Sequence, residues 1–373
     1  MTTTIPLFDT ATQLRPLREQ LHEAAIGVLD SGRYILGPEV TAFEAEFAAY
    51  VGAEHAVGVG NGTDALMIAL RAVGVEPGDD VVVPSFSFYA SAEAIAAVGA
   101  RPVFCDIDPA TFNVTAQTVE EALTPNTRAV VAVHLFGLPA PIPRLRDLLA
   151  PRGIKIVEDA AQAAGAKLDG VHAGSLGDAA TFSFFPSKNL GAFGDAGIVT
   201  TADAATADLA RLLRHHGTTN KQHHSLVGYN SRLDALQAAL LRVMLPRLDA
   251  WNDGRRAAAR AYQAAGIAEY VTPQATVPGA DPVHHLYVVS HPDADRVIEL
   301  LAAGGVEARG YYRTPIHLQP AMYQWAEGAD LPGTAQAAAR NIALPISPVL
   351  TAGQVDAVVG VLASVPASAS ASA

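Results

Sequence analysis

Lys188 stands in "FSFFPSKNLGAFGDAGIV" (182–199), in a chain with only four lysines among its 25 basic residues. A lysine that follows an apolar, aromatic run and precedes a glycine-broken loop is partly desolvated. Desolvation lowers its pKa and favours the neutral amine, the form that attacks carbonyls to make Schiff bases. Ser183, five residues earlier, offers a hydroxyl. A second candidate is Asp159, which with Glu158 closes the apolar run "IKIVED" (154–159). A carboxylate at the mouth of a sheet is costly without a partner. Asp159 is either the N-cap of the alanine-rich stretch after it or a counter-ion for a cationic ring nitrogen. A third candidate is "VGVGNGTDAL" (57–66). Gly58 and Gly60 suit the first two places of a dinucleotide fingerprint, but Thr63 holds the third. This stretch reads either as a generic phosphate cup at a helix N-terminus or as a glycine turn that caps a helix.

These parts together suit one cofactor. Pyridoxal phosphate needs a lysine for its aldehyde, a carboxylate that keeps its ring nitrogen protonated, and backbone and hydroxyl donors for its phosphate.

The elements that must position them follow a regular pattern. "HAVGVG" (55–60), "DVVVP" (80–84), "RPVFCDI" (101–107), "RAVVAVHLF" (128–136), "IKIVEDA" (154–160) and "AATFSFF" (179–185) read as strands. Helix-like stretches lie between them, including "GTDALMIALRAVG", "SAEAIAAVG", "TVEEALT" and "IPRLRDLLA". This alternation argues an α/β domain with a mostly parallel sheet, whose ligands gather beyond the carboxyl ends of the strands. Residues 228–266 read as one or two long helices broken near Pro246. After them come a strand at 284–291 and helices at 293–305 and 352–365. We therefore expect a large domain over 1–245, a smaller α+β domain over 246–365, and a disordered low-complexity tail over 366–373.

Half of the residues are hydrophobic and 17% are charged, which allows a large core. A formal charge of −12 argues against nucleic acid and anionic membranes as partners. Cys105, the single cysteine, excludes a disulfide framework and reads as a small buried apolar residue. "MTTTIPLFDTATQLRP" lacks the pattern of a signal peptide, and no run of about 18 apolar residues suggests a membrane span. A soluble, cytoplasmic protein is expected. His215, His216, His223 and His224 read as loop histidines and not as a metal site.

Across residues 5–365 the chain resembles the sugar aminotransferases of the DegT/DnrJ group, within the fold-type I pyridoxal phosphate enzymes. The motifs that carry this, in order, are "SGRYILGPEVTAFEAEFAAY", "VGNGTDAL", "VPSFSFYASAEAI", "VEDAAQAAGA", "FSFFPSKNLGAFGDAGIVTT", "VGYNSRLDALQAA" and "HLQPA". The resemblance implies a seven-stranded type of sheet and a role for each matched position. Lys188 would bind the cofactor covalently and shuttle protons. Asp159 would pair with the pyridine nitrogen, Gln162 with the ring 3-hydroxyl, and Phe88 would stack on the ring. Gly62, Thr63 and Ser183 would bind the phosphate. Asn230 would reach the phosphate of a neighbouring subunit, which implies a homodimer with shared sites. Tyr34 and His317 would lie near a nucleotide-linked keto sugar, with glutamate or glutamine as amino donor. For Phe88 and His317, ordinary core packing is the other reading.

Some members carry His at the position of Gln162 and act at C4 of the sugar; "EDAAQ" is more like the members that aminate C3. The segment "GYYRTPIHLQP" (310–320) departs from the commoner "HYPxPxHLQ". Arg313 there is either a grip for pyrophosphate or carboxylate or a solvated loop residue. Two rival functions are a pyridoxal phosphate-dependent sugar dehydratase and a non-catalytic partner protein. The first replaces the lysine with His, and intact Lys188, Asp159 and Ser183 argue against the second. Heavy use of Ala, and of Arg over Lys, suggests a GC-rich bacterial genome and an antibiotic-deoxysugar or surface-polysaccharide pathway.

Overall fold

Strands that are apolar on both faces belong in a sheet covered by helices on each side. That sheet dominates the computed structural model, which describes residues 4–364; the low-complexity tail lies outside the described residues. Its strands are β1 (His55–Val59), β2 (Asp80–Pro84), β3 (Arg101–Cys105), β4 (Thr127–Val133), β5 (Lys155–Asp159), β6 (Ala179–Ser183) and β7 (Gly197–Thr201). Their spatial order is β1-β7-β6-β5-β4-β2-β3. Six match the runs read from the sequence. The seventh, β7, runs antiparallel to both of its neighbours.

β7 explains how Lys188 is held. The chain leaves β6 at Ser183, loops through 184–196 and returns, so that Ser183 pairs with Gly197 and Ala180 with Thr200. The Phe184 amide donates to Ala196 O at 2.8 Å, and the Ala192 amide to Phe184 O at 2.7 Å. The loop that carries Lys188 is therefore tied at both ends. Side chains alternate along "TFSFF" with period two. Phe182 and Phe184 are fully buried and meet Phe47 edge-on at 4.9 and 5.3 Å. Ser183 is thereby turned to the other face. Each buried phenylalanine contributes roughly 1.5–3 kcal/mol, so the register of this strand end is strongly specified.

Helix α1 (Pro38–Val51) supplies Phe43 and Phe47 to that cluster. Helix α2 (Gly62–Ala72) follows β1 directly and puts its N-terminus at the carboxyl edge of the sheet. Helix α3 (Ala90–Ala97) follows β2. The break at Pro246 is a 3₁₀ turn, Leu245–Arg247, between α4 (Ala235–Met244) and α5 (Leu248–Ala264). Helix α5 starts in the core of the large sheet, through Leu248, and ends in a separate core through Ala258, Ala259 and Tyr262. That second core is built on three short antiparallel strands, β8 (Thr272–Pro273), β9 (Tyr287–Ser290) and β10 (Asn341–Leu344). Helices α6 (Ala294–Ala303) and α8 (Ala352–Leu362) cover it, and α7 (Pro332–Arg340) leads into β10. Ile5 also packs here. It bridges Val306 in parallel, with its amide donating to Gly305 O at 2.9 Å. Cys105 is buried, as its apolar surroundings require.

Two sequence expectations are corrected. The alanine-rich stretch after Asp159 folds as turns, with Gly165 at φ 90°, so Asp159 caps no helix. The helix expected from residue 228 begins only at Ala235. Asn230 lies before it, on an isolated antiparallel bridge to His215.

Candidate active site

The carboxyl ends of β1, β4, β5 and β6 open into a cavity of about 690 Å³. Gly62, Thr63, Phe88, Asp159, Gln162, Ser183 and Lys188 all line it. Residues from 62 to 188 in the chain thus converge on one space.

Lys188 is partly buried, on the tied loop, with its amide donating to Phe185 O at 2.8 Å. Burial pushes its amine down to about 8, opposed by the negative field of Asp159. Asp159 is 6% exposed. Its Oδ2 accepts from Ser91 Oγ at 2.7 Å, and its Oδ1 from the Ala161 amide at 3.2 Å. Ser91 is fully buried at the start of α3 and is backed by Ser87 Oγ at 2.9 Å. One carboxylate is thus clamped by hydroxyl and backbone donors. Gln162 Oε1 accepts from the Phe136 amide at 2.7 Å, while its Nε2 donates to the Tyr312 hydroxyl at 3.0 Å. Burial raises the Tyr312 phenol, which therefore stays protonated. Phe88 exposes more than half of its surface and stands 6.1 Å from the Tyr312 ring, so it is not core packing.

The donor cup is built by α2. Asn61 Oδ1 accepts from the Asp64 amide at 2.8 Å, and Asn61 O from the Ala65 amide at 3.0 Å. Gly62 and Thr63 N–H are left as the donors that the helix presents at its N-terminus. A Cβ at Gly62 would lie 2.7 Å from Ser183 Cβ. Only glycine lets the helix end and the strand-end serine close around one small anion. The cup, the clamped carboxylate and the partly desolvated amine fit pyridoxal phosphate in charge and in donor chemistry.

Four expected residues do not line the cavity of the single chain. Tyr34 is exposed, and its hydroxyl donates to Leu29 O at 3.2 Å. Asn230 is exposed beside His215. His317 is buried with Nδ1 at 2.5 Å from Ser85 Oγ, and its amide donates to the same oxygen at 3.1 Å. It is a bracket between the end of β2 and the segment after Pro315. Arg313 turns away from the cavity. Its guanidinium donates to Ala338 O and Ala339 O at 3.1 and 2.7 Å, in the last turn of α7, and pairs with Asp295 at 2.9 Å. The helix C-terminus and the carboxylate both attract a cation, and in the single chain they hold this arginine outside the cavity.

Sequence reasoning missed Ser91, Tyr312, Phe8 and His285. Ser91 carries no motif of its own. Tyr312 is adjacent to the arginine that drew attention, and His285 lies in "HHLYVVSH", which reads only as a strand.

The sequence pattern of the DegT/DnrJ/EryC1/StrS aminotransferase family matches residues 16–363. The chain is 45% identical to the dTDP-3-amino-3,4,6-trideoxy-alpha-D-glucose transaminase of Streptomyces venezuelae, over 92% of this chain and 91% of that one. It is 43% identical to the UDP-N-acetyl-3-dehydro-alpha-D-glucosamine 3-aminotransferase of Acidithiobacillus ferrooxidans, over 95% of each. Among solved structures, S. venezuelae DesV in complex with a ketimine intermediate superposes with a TM-score of 0.94 at 43% identity, covering 97% of this chain and 98% of that one. With its large mostly parallel sheet and a cavity suited to pyridoxal phosphate, this chain belongs to the DegT/DnrJ/EryC1/StrS aminotransferase family.

Proposed function

We propose that this enzyme transfers an amino group to the C3 keto carbon of a nucleotide-linked 6-deoxyhexose, with glutamate or glutamine as donor. The observation that carries the reading is the meeting of Lys188, clamped Asp159 and the Gly62–Ser183 cup in one cavity. The two relatives named above act at C3 by their names, and Gln162, in place of His, supports C3 over C4.

Bound pyridoxal phosphate supplies an electron sink for carbanion chemistry. The residues do the rest. Asp159 holds a proton on the ring nitrogen and is itself held by Ser91 and the Ala161 amide. Gly62, Thr63 and Ser183 hold the phosphate. Gln162 Nε2, which here donates to the Tyr312 hydroxyl, would donate to the ring 3-hydroxyl. Phe88 packs on the ring face. Lys188, whose amine burial pushes down to about 8, would be the residue that holds the cofactor's aldehyde carbon, and its Nζ would hold and pass the proton that the exchange requires.

A homodimer with shared sites is part of this reading. Ile26, Leu29, Tyr34, Ile35 and Phe193 are exposed apolar groups, and Asn230, exposed and outside its own chain's cavity, lies four residues before Asp234, the bridge partner of Ile35. No helix among the described residues is long and apolar enough to cross a membrane. An assay with 3-keto and 4-keto sugars linked to TDP, UDP and GDP tests the reading. Turnover is expected only with 3-keto substrates; turnover confined to 4-keto sugars, or to none, would overturn it.

A further inference from the structure

A chain of buried amides fixes the state of one histidine in the cavity wall. Backbone carbonyls only accept hydrogen bonds, so they set the orientation of any amide that meets them. Asn252 Nδ2 lies 3.0 Å from Ala164 O; its nitrogen must face that carbonyl and its oxygen must face away. Asn252 Oδ1 then accepts from Asn189 Nδ2 at 2.8 Å, and that same nitrogen donates to Val283 O at 3.0 Å. Asn189 Oδ1 is left to face His285 Nδ1 at 3.3 Å. An oxygen there requires a proton on Nδ1. Asn189, Asn252 and His285 are all buried, so no solvent offers an alternative. Gly165 gives Asn252 room at this place, since a Cβ there would lie 2.4 Å from Asn252 Nδ2. Burial, then the positive charges of Lys188 and Arg255, hold the imidazole well below its usual pKa. His285 is therefore neutral, and Nε2 is its lone-pair nitrogen.

His285 lines the same cavity as Lys188, and its ring is stacked on Phe8 at 6.2 Å. We infer that His285 Nε2 is a fixed hydrogen-bond acceptor that reads one of the two hydroxyls flanking the keto carbon of the sugar. This rests on the keto-sugar reading above. It makes His285 a specificity residue and gives Asn189 and Asn252 the work of fixing its tautomer. A site built to bond a hydroxyl discriminates strongly against the analogue that lacks it, because the buried acceptor is left without a partner.

Two measurements test this. Nitrogen-15 NMR of histidine-labelled protein, with His285→Gln to assign the signal, should show Nε2 unprotonated and Nδ1 protonated at neutral pH. The opposite tautomer or an imidazolium would overturn the inference. This measurement needs no substrate, so a failure of the keto-sugar reading and a failure of this one show separately. The second compares kcat/KM for the keto sugar with its 2-deoxy and 4-deoxy analogues. The wild-type enzyme should prefer the hydroxylated substrate over one of the two by at least ~10-fold. His285→Phe should cut that preference to within about twofold, and His285→Gln, whose Oε1 can stand where Nε2 stood, should restore part of it. Equal discrimination in wild-type and His285→Phe enzymes would overturn the assignment.

Discussion

Lys188 has to be neutral at a pH where an exposed lysine is charged, and the structure achieves this by burial. The sign of the resulting pH dependence follows. Below about 8 the amine is protonated whether the chain is folded or not, and the penalty of burying the charge is present in full. As pH rises from about 8 toward the ordinary lysine value of 10.5, the folded protein sheds the proton while the unfolded chain keeps it. The contribution of this group to stability therefore grows with pH across that window. We expect denaturant midpoints of cofactor-free protein to rise over this range more in the wild type than in Lys188→Ala, as measured by urea titration. Lys188→Ala should fold, and should lose both transamination and the borohydride-reducible cofactor adduct; retained turnover in the purified variant would sink the assignment. Asp159→Asn removes the group that keeps the ring nitrogen protonated. It should lower kcat by roughly 10- to 150-fold, the equivalent of about 1.5–3 kcal/mol, while cofactor affinity, carried by the cup, falls much less. Equilibrium dialysis beside steady-state kinetics separates the two effects. Lys188, Asp159 and Ser183 were legible in the sequence because each is an unusual residue type at the end of an apolar run. Ser91 and His285 were not, because their roles come from neighbours 68 and 96 residues away in the chain.

At the scale of elements, the cup depends on how closely helix α2 approaches strand β6. Gly62→Ala places a methyl group 2.7 Å from Ser183 Cβ, and relieving that overlap typically costs about 1–3 kcal/mol. The helix end must retreat from the serine, so affinity for pyridoxal phosphate should fall at least ~5-fold further than affinity for pyridoxal, which has no phosphate to hold. Parallel fluorescence titrations with the two ligands check this. Arg313 belongs to this scale as well. Its bonds to the last turn of α7 and to Asp295 make it a helix-end cap. Arg313→Ala should cost about 1 kcal/mol of stability and leave the Michaelis constant for the nucleotide sugar unchanged, which thermal melts and kinetics can show together. The sequence revealed six strands of the sheet through their apolar runs. It hid β7 because "GIVTT" is short and follows a loop that gives no sign of returning beside its own start. It misled at "AAQAAGA", where alanine content argues for a helix but the chain turns, with Gly165 at φ 90° in the left-handed region.

For the whole molecule, the proposed dimer makes a test that no single variant allows. If each site takes Lys188 from one subunit and Asn230 from the other, mixed dimers of Lys188→Ala and Asn230→Ala chains contain one site with both defects and one with neither. Refolding the two variants together should give activity above the mean of the separate proteins. Activity equal to that mean would place Asn230 within its own subunit or outside the site.

The bridge between Ile5 and Val306 carries a consequence for the order in which the protein is made. These residues emerge from the ribosome about 300 positions apart, an interval on the order of tens of seconds at typical elongation rates. Throughout that interval the large sheet is available to fold, while Ile5 lacks its backbone partners: the Gly305 carbonyl and the Glu307 amide that bind it do not yet exist. The smaller core can close only when translation is nearly complete, and it closes around a residue that has been waiting since the beginning. Nascent chains stalled near residue 290 should therefore show a protease-resistant large domain and a cleavable segment around Ile5, and release of the finished chain should protect both.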